Sequence, residues 1–169
     1  MPHWAMGMVN LFGRDFAAAI EEQSTAIEIN PNYAPAYGQL ATYLAVTGRC
    51  DEAFPVLDQA DRLSPKDPMG WMTALGRAYA YLFLGQFDEA AASARRAIRS
   101  SNSLIWAHTI LVAALTKADR QAEAAQALAE LLRVKPDFSL NFVEDTSPND
   151  DARRALMIEA LRDAGVPER

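Results

Sequence analysis

The sequence predicts an all-α repeat protein, on three observations. Prolines return at a fixed interval: Pro31 and Pro65 are 34 residues apart, and Pro136 follows Asn102 by the same distance. Within these intervals a turn residue, an acidic helix start and two alanines seven residues apart recur in the same order. Alanine is abundant, whereas the residues that favour strands are few. A period of about 34 residues is typical of stacked helical hairpins, each of which buries its apolar face against its neighbours.

The first unit, residues 1–31, is expected to be irregular. Gly7 and Gly13 are six residues apart, whereas the repeat calls for seven. We therefore expect its first helix to be short or distorted. No earlier repeat covers the apolar residues of that helix, which favours a truncated start or pairing with another chain.

The second unit, residues 32–65, shows the hairpin most clearly. Apolar residues spaced by three and four form one stripe on its first helix: Tyr37, Leu40, Ala41 and Leu44. Gly48 is expected to end that helix, because glycine readily adopts the positive φ of a helix stop. Asp51 and Glu52 then open the second helix, where negative charge meets the positive end of the helix dipole. Pro55 should bend that helix slightly.

The third and fourth units, residues 66–102 and 103–136, repeat this pattern with two departures. Ala53 and Ala90 are 37 residues apart, three more than the period, so a longer turn is expected around Pro68. Asp119 replaces the turn glycine of the fourth unit. After the repeats, residues 137–148 are predicted to form a linker. Residues 149–164 are predicted to form a final helix that caps the last hairpin.

These residues resemble the tetratricopeptide repeat (TPR) family. The second unit fills the nine favoured positions: Tyr37, Leu40, Ala41, Leu44, Gly48, Ala53, Leu57, Ala60 and Pro65. The resemblance covers residues 1–136 and implies four hairpins in a right-handed superhelical solenoid, followed by the C-terminal capping helix. The tail, "LLRVKPDFSL" and then "DDARRALMIEALRDAGVPE", also resembles the TPR region that follows a class III cyclase domain or a winged-helix domain in bacterial proteins. That second resemblance implies a bacterial regulatory domain.

Composition and motifs argue against several classes of function. With 16 basic and 22 acidic residues, the net charge of −6 disfavours nucleic acid as a partner. The single cysteine, Cys50, cannot form an internal disulfide and suits a reducing compartment. His3 and His108 lack ligands at metal-site spacing, and no glycine pair forms a phosphate loop. No leader or membrane-spanning run is evident. We therefore expect a cytoplasmic protein that is not an enzyme and holds no cofactor or metal.

The TPR resemblance places partner binding in the concave groove formed by the first helices of the hairpins. The candidates are Thr42, Met72, Leu75, Tyr79, Trp106, Thr109 and Lys117. This surface is mainly apolar and has one lysine, so it lacks the carboxylate clamp of chaperone co-factors in this family. Either a protein or peptide partner fills it, anchored by Met72, Tyr79 and Trp106. Alternatively, the protein covers this surface itself, through its tail, through a homodimer or through tight curvature of the array.

The predicted function is therefore a non-catalytic protein–protein interaction scaffold that binds a partner segment, or itself, through an apolar surface. The alternative is a self-associating regulatory domain of a bacterial cyclase or transcription-regulator system.

Overall fold

The computed structural model describes residues 15–65 and 70–169, and every helix or strand assigned within these ranges is an α-helix. The helices are α1 (Phe16–Ile29), α2 (Ala34–Val46), α3 (Cys50–Leu63), α4 (Trp71–Phe83), α5 (Phe87–Ser100), α6 (Ile105–Lys117), α7 (Gln121–Val134), α8 (Leu140–Thr146) and α9 (Asp151–Asp163). The predicted all-α class is confirmed. The first helix of the first unit, His3 and the longer turn expected around Pro68 lie outside the described residues.

The helices are arranged as consecutive hairpins. Within the units α2 packs on α3, α4 on α5, and α6 on α7. Between units, α2 contacts α4 and α4 contacts α6, so the first helices of the second, third and fourth units lie side by side. This row of first helices forms one face of the array.

Three equivalent turns connect the two helices of each described hairpin. Gly48 has a φ of 82° and Gly85 a φ of 75°, as the turn-glycine prediction requires. Asp119 occupies the same position with a φ of 58°, the sole positive φ of a non-glycine residue in the described ranges. Each turn is closed by an amide that donates to a carbonyl in the last turn of the preceding helix: Arg49 to Leu44, Gln86 to Tyr81, and Arg120 to Leu115.

Small residues set the distance between the helices. The repeated alanines Ala53 and Ala90 are fully buried, and Ala124 is 2% exposed. Gly38 and Gly76 lie where α2 crosses α4: a Cβ at Gly38 would lie 3.2 Å from Met72 Cβ. The backbones of α2 and α4 therefore approach closely at this crossing.

The tail is more extensively packed than a linker and a terminal cap. Residues 137–148 contain α8, whose first turn is capped by Ser139 through a 3.2 Å bond from the Phe142 amide. The expected final helix is present as α9, and it packs against α6. Its start reaches the second unit, where the Asp150 amide donates to the Val46 carbonyl at 3.0 Å.

The tail thus extends over the row of first helices from the second unit to the fourth. No helix in the described ranges is both long and apolar enough to span a bilayer.

Candidate partner-binding site

An apolar cavity of about 280 Å³ opens on the face formed by the first helices. We call it the groove cavity. Its lining side chains come from α2, α4, the start of α6 and the tail: Gln39, Thr42, Tyr43, Trp71, Met72, Leu75, Tyr79, Ser103, Leu104, Ile105, Trp106 and Pro148. None of them carries a charge at neutral pH. A carboxylate or ammonium entering this cavity would lose its hydration without gaining a counter-ion.

Helical periodicity places these side chains on one surface. Met72, Leu75 and Tyr79 are three and four residues apart on α4, so they share a face. Trp106 on α6 stacks on Phe142 of α8: the ring centroids are 6.0 Å apart and the interplanar angle is 20°. The cavity wall is therefore built from neighbouring repeats and braced by the tail.

Three buried polar groups of the cavity have no hydrogen-bond partner in the described part of the chain. They are Gln39 Oε1 and the hydroxyls of Tyr43 and Tyr79. These residues are 7%, 2% and 1% exposed, respectively. Gln39 Nε2 has only a 4.0 Å contact with the sulfur of Met72.

Burial raises the pKa of both tyrosines well above the usual value, so both hydroxyls remain protonated. A buried polar group without a partner costs about 1–3 kcal/mol. These three atoms are themselves inaccessible to solvent, so the surface that the cavity presents is mainly apolar.

The tail covers the other half of the row of first helices. Lys117, at the end of α6, donates to Glu159 at 2.8 Å and to Asp163 at 3.2 Å, both on α9. A smaller cavity of about 180 Å³ remains beneath α9, lined partly by Leu82, Met157 and Lys117. The tail therefore occupies this half, and among residues 15–65 and 70–169 the groove cavity is the part that stays uncovered.

The structure brings together five of the seven predicted site residues. They line the groove cavity: Thr42, Met72, Leu75, Tyr79 and Trp106. Thr109 is fully buried, and its hydroxyl donates to the Ile105 carbonyl at 2.8 Å. Lys117 is paired with α9, so neither Thr109 nor Lys117 lies in the cavity. Tyr79 does line it, but at 1% exposure it forms part of the floor and is not a projecting anchor.

Sequence reasoning missed seven contributors: Gln39, Tyr43, Trp71, Ser103, Leu104, Ile105 and Pro148. All of these except Pro148 lie in or beside the first helices but outside the candidates that the TPR resemblance supplied. The aromatic and amide side chains beside those positions were the signal available. Pro148 belongs to the tail, and no local pattern indicates that it reaches α2 and α4.

The two described candidates for chemical reactivity, His108 and Cys50, are both buried. His108 is 5% exposed, and its Nε2 lies 2.9 Å from the Asn102 carbonyl oxygen. Cys50 is 4% exposed, and burial raises the pKa of its thiol, which disfavours the reactive thiolate. No cluster of three or more metal-ligating side chains occurs within residues 15–65 and 70–169.

Comparison with known proteins agrees with this geometry. The fold is that of a TPR solenoid. Residues 74–103 match the family model described as "Tetratricopeptide repeat". The solved structure "MamA RS-1 ArsTM double mutant" aligns with a TM-score of 0.63 at 15% identity, over 95% of this chain and 93% of that chain. "Crystal structure of MamA" aligns with a TM-score of 0.62 at 17% identity, over 94% and 91%.

A third similar structure carries a functional term in its description. "YrrB: a TPR protein with an unusual peptide-binding site" aligns with a TM-score of 0.59 at 17% identity, over 97% of this chain and 84% of that one. No curated protein sequence matches this chain. At these identities the structural matches support the solenoid fold alone.

Proposed function

We propose that this chain is a non-catalytic protein-interaction module that binds a segment of a partner protein in the groove cavity. The observation that carries the proposal is an uncharged, preformed cavity built by three consecutive first helices, beside a half-groove that the tail already covers. The peptide-binding site in the description of YrrB supports this type of ligand by analogy of fold. A cytoplasmic location remains part of the proposal.

The mechanism is burial of apolar surface on a rigid scaffold. Trp71 and Trp106 both line the cavity and supply large aromatic faces, and residues of this type dominate binding energy at interfaces. Each apolar Å² removed from water contributes about 25 cal/mol. Because the hairpins hold the cavity in place, binding loses little energy to ordering of the scaffold.

The test is selection of ligands from a displayed library of random peptides, followed by titration calorimetry of the selected peptides. Leu75→Ala changes a cavity side chain, and Leu84→Ala changes a leucine of the same hairpin that is 42% exposed and does not line the cavity. We expect Leu75→Ala to weaken binding by about tenfold or more and Leu84→Ala to leave it unchanged. Failure to select any peptide, or equal loss in both variants, would contradict the proposal.

The alternative function from the sequence analysis is a self-associating regulatory domain. It assigns a different occupant to the groove cavity. In that case a second copy of the chain fills the cavity, and light scattering across a dilution series gives a mass near twice 18.5 kDa. Dissociation of that dimer by Leu75→Ala, but not by Leu84→Ala, would favour the alternative over a peptide ligand.

A further inference from the structure

We propose that the tail regulates the groove cavity: the cavity is complete, and binds its partner segment, only while the tail is docked on the first helices. This inference rests on the proposed function and adds how that site is regulated. It is carried by two residues of the tail. Pro148 is part of the cavity lining, and Phe142 stacks on a side chain of the lining.

The tail contributes one wall of the cavity directly. Pro148 lies between α8 and α9 and lines the cavity together with residues of α2, α4 and α6. Two residues further on, the amide of Asp150 donates to the carbonyl of Val46, at the end of α2, at 3.0 Å. Because this bond ties the chain beside Pro148 to the second unit, release of the tail would remove Pro148 from the lining.

The tail also acts on a second wall through a ring contact. Phe142 of α8 does not line the cavity, yet it stacks on Trp106, which does. Two further groups surround Phe142: the ring centroid of Phe138 lies 5.6 Å from its own, and Lys135 Nζ lies 4.4 Å from the centroid of its ring. Phe142 is thus a positioning residue for the Trp106 indole.

The two helices of the tail are joined to each other, so both contacts depend on the same docking. The amide of Leu140, the first residue of α8, donates to the carbonyl of Pro167, which follows α9, at 2.9 Å. Arg154 Nε of α9 lies 3.3 Å from a carboxylate oxygen of Glu144 on α8. Lys117 in turn bonds α6 to α9. A loosened contact between α9 and α6 therefore reaches the cavity wall through α8.

Thermodynamic linkage makes this coupling reciprocal. The apparent affinity for a peptide falls in proportion to the fraction of molecules whose tail is docked. Peptide binding equally shifts the population toward the docked tail. No residue of α9 is among those that line the groove cavity, so a peptide seated there stabilises α9 through this linkage and not by contact.

The first experiment tests Phe142 with the peptides selected for the proposed function. Phe142→Leu should weaken their binding at least fivefold, whereas Phe142→Tyr, which keeps the ring, should leave it within twofold of the unchanged chain. Phe54→Leu is the matched control. Phe54 is also half-buried, has a ring neighbour in Tyr81 at 4.9 Å, and does not line the cavity. Equal affinities of the two leucine variants would overturn the inference, as would equal losses in Phe142→Leu and Phe142→Tyr.

The second experiment measures backbone hydrogen exchange with and without a selected peptide. We expect the peptide to slow exchange in α9 at least fivefold more than in α7, which belongs neither to the tail nor to the cavity lining. In the free chain, Lys117→Gln should speed exchange in α9 at least threefold. Arg120→Gln, which removes ion pairs with α5 and α7, should not. Equal protection of α9 and α7 by the peptide would refute the linkage.

The same measurements separate this inference from the proposed function. Peptide binding that Leu75→Ala weakens, but that neither depends on Phe142 nor protects α9, would refute regulation by the tail and leave the peptide-binding function intact. Failure to select any peptide would refute both.

Discussion

Replacing Met157 by alanine tests whether the tail packs on the hairpins in solution. Met157 lies on α9 and is 1% exposed, with its side chain in the main core. Truncation of a fully buried methionine to alanine typically costs 2–5 kcal/mol. The adjacent Leu156 is 54% exposed and provides a control of similar size on the same helix. We expect a loss of about 3 kcal/mol for Met157→Ala and less than about 1 kcal/mol for Leu156→Ala.

The assay is urea unfolding followed by circular dichroism, with thermal unfolding as a second measurement. A loss of about 3 kcal/mol lowers the folding equilibrium constant by roughly two orders of magnitude. For a chain of this length it lowers the Tm by roughly 6–12 °C. Equal and small effects of the two substitutions would show that α9 is not docked on α6, and the covered half of the groove would then be open.

Substitutions at the three turns test the strain of their positive φ angles. Asp119→Gly should raise the free energy of unfolding by up to about 1 kcal/mol, measured in urea, because glycine adopts the positive φ without a Cβ clash. Gly48→Ala and Gly85→Ala should each cost about 1–2 kcal/mol from the same strain. At Gly48 the new Cβ would also meet the Arg153 guanidinium, but this is the far end of a flexible side chain and can move aside, so the two losses should be similar. A loss at Gly48 that clearly exceeds the loss at Gly85 would show that Arg153 does not move.

The ion-pair test concerns Glu123, whose carboxyl pKa is held below its usual value of 4.5 by hydrogen bonds from Arg120 and then Arg95. Its contribution to stability is thus present above pH 4.5 and is lost as the pH falls through the lowered pKa. Glu123→Gln should make the urea midpoint depend less on pH below 4.5, and an unchanged dependence would contradict the assignment.

The repeating part of the fold could be predicted because its signals are local. The turn glycines, the acidic helix starts and the seven-residue alanine spacing each act within one hairpin. The predicted stop at Gly48 lies two residues after the last residue of α2, and the predicted start at Asp51 lies one residue after the first residue of α3. Even the substitution of Asp119 for glycine marks the correct turn.

The position of the tail could not be predicted in this way. Contact between Asp150 and Val46 joins residues that are far apart in the sequence, and nothing in either neighbourhood indicates the other. The seven-residue helix α8 is too short for hydrophobic periodicity to identify. As a result, the sequence alone left open whether the groove is covered, and the structure shows that the tail covers only half of it.

The part of the candidate site that depends on which residues share a helix face could be predicted from the sequence. Met72, Leu75 and Tyr79 follow from the spacing on α4. The hydrogen-bonding state of Gln39, Tyr43 and Tyr79 does not, because it depends on which groups lie opposite in the folded chain. The burial of these polar groups therefore arises from packing, not from a sequence motif.

The bond between Asp150 and Val46 has a consequence for how the array folds. In an open repeat array each unit touches only its neighbours, so units can unfold one after another from the ends. Here α9 joins the second unit directly to the fourth, so loss of either one also removes the support of the tail. These units should unfold in a single cooperative transition. The refolding rate should be lower than that of an array lacking the tail, because such long-range contacts form slowly.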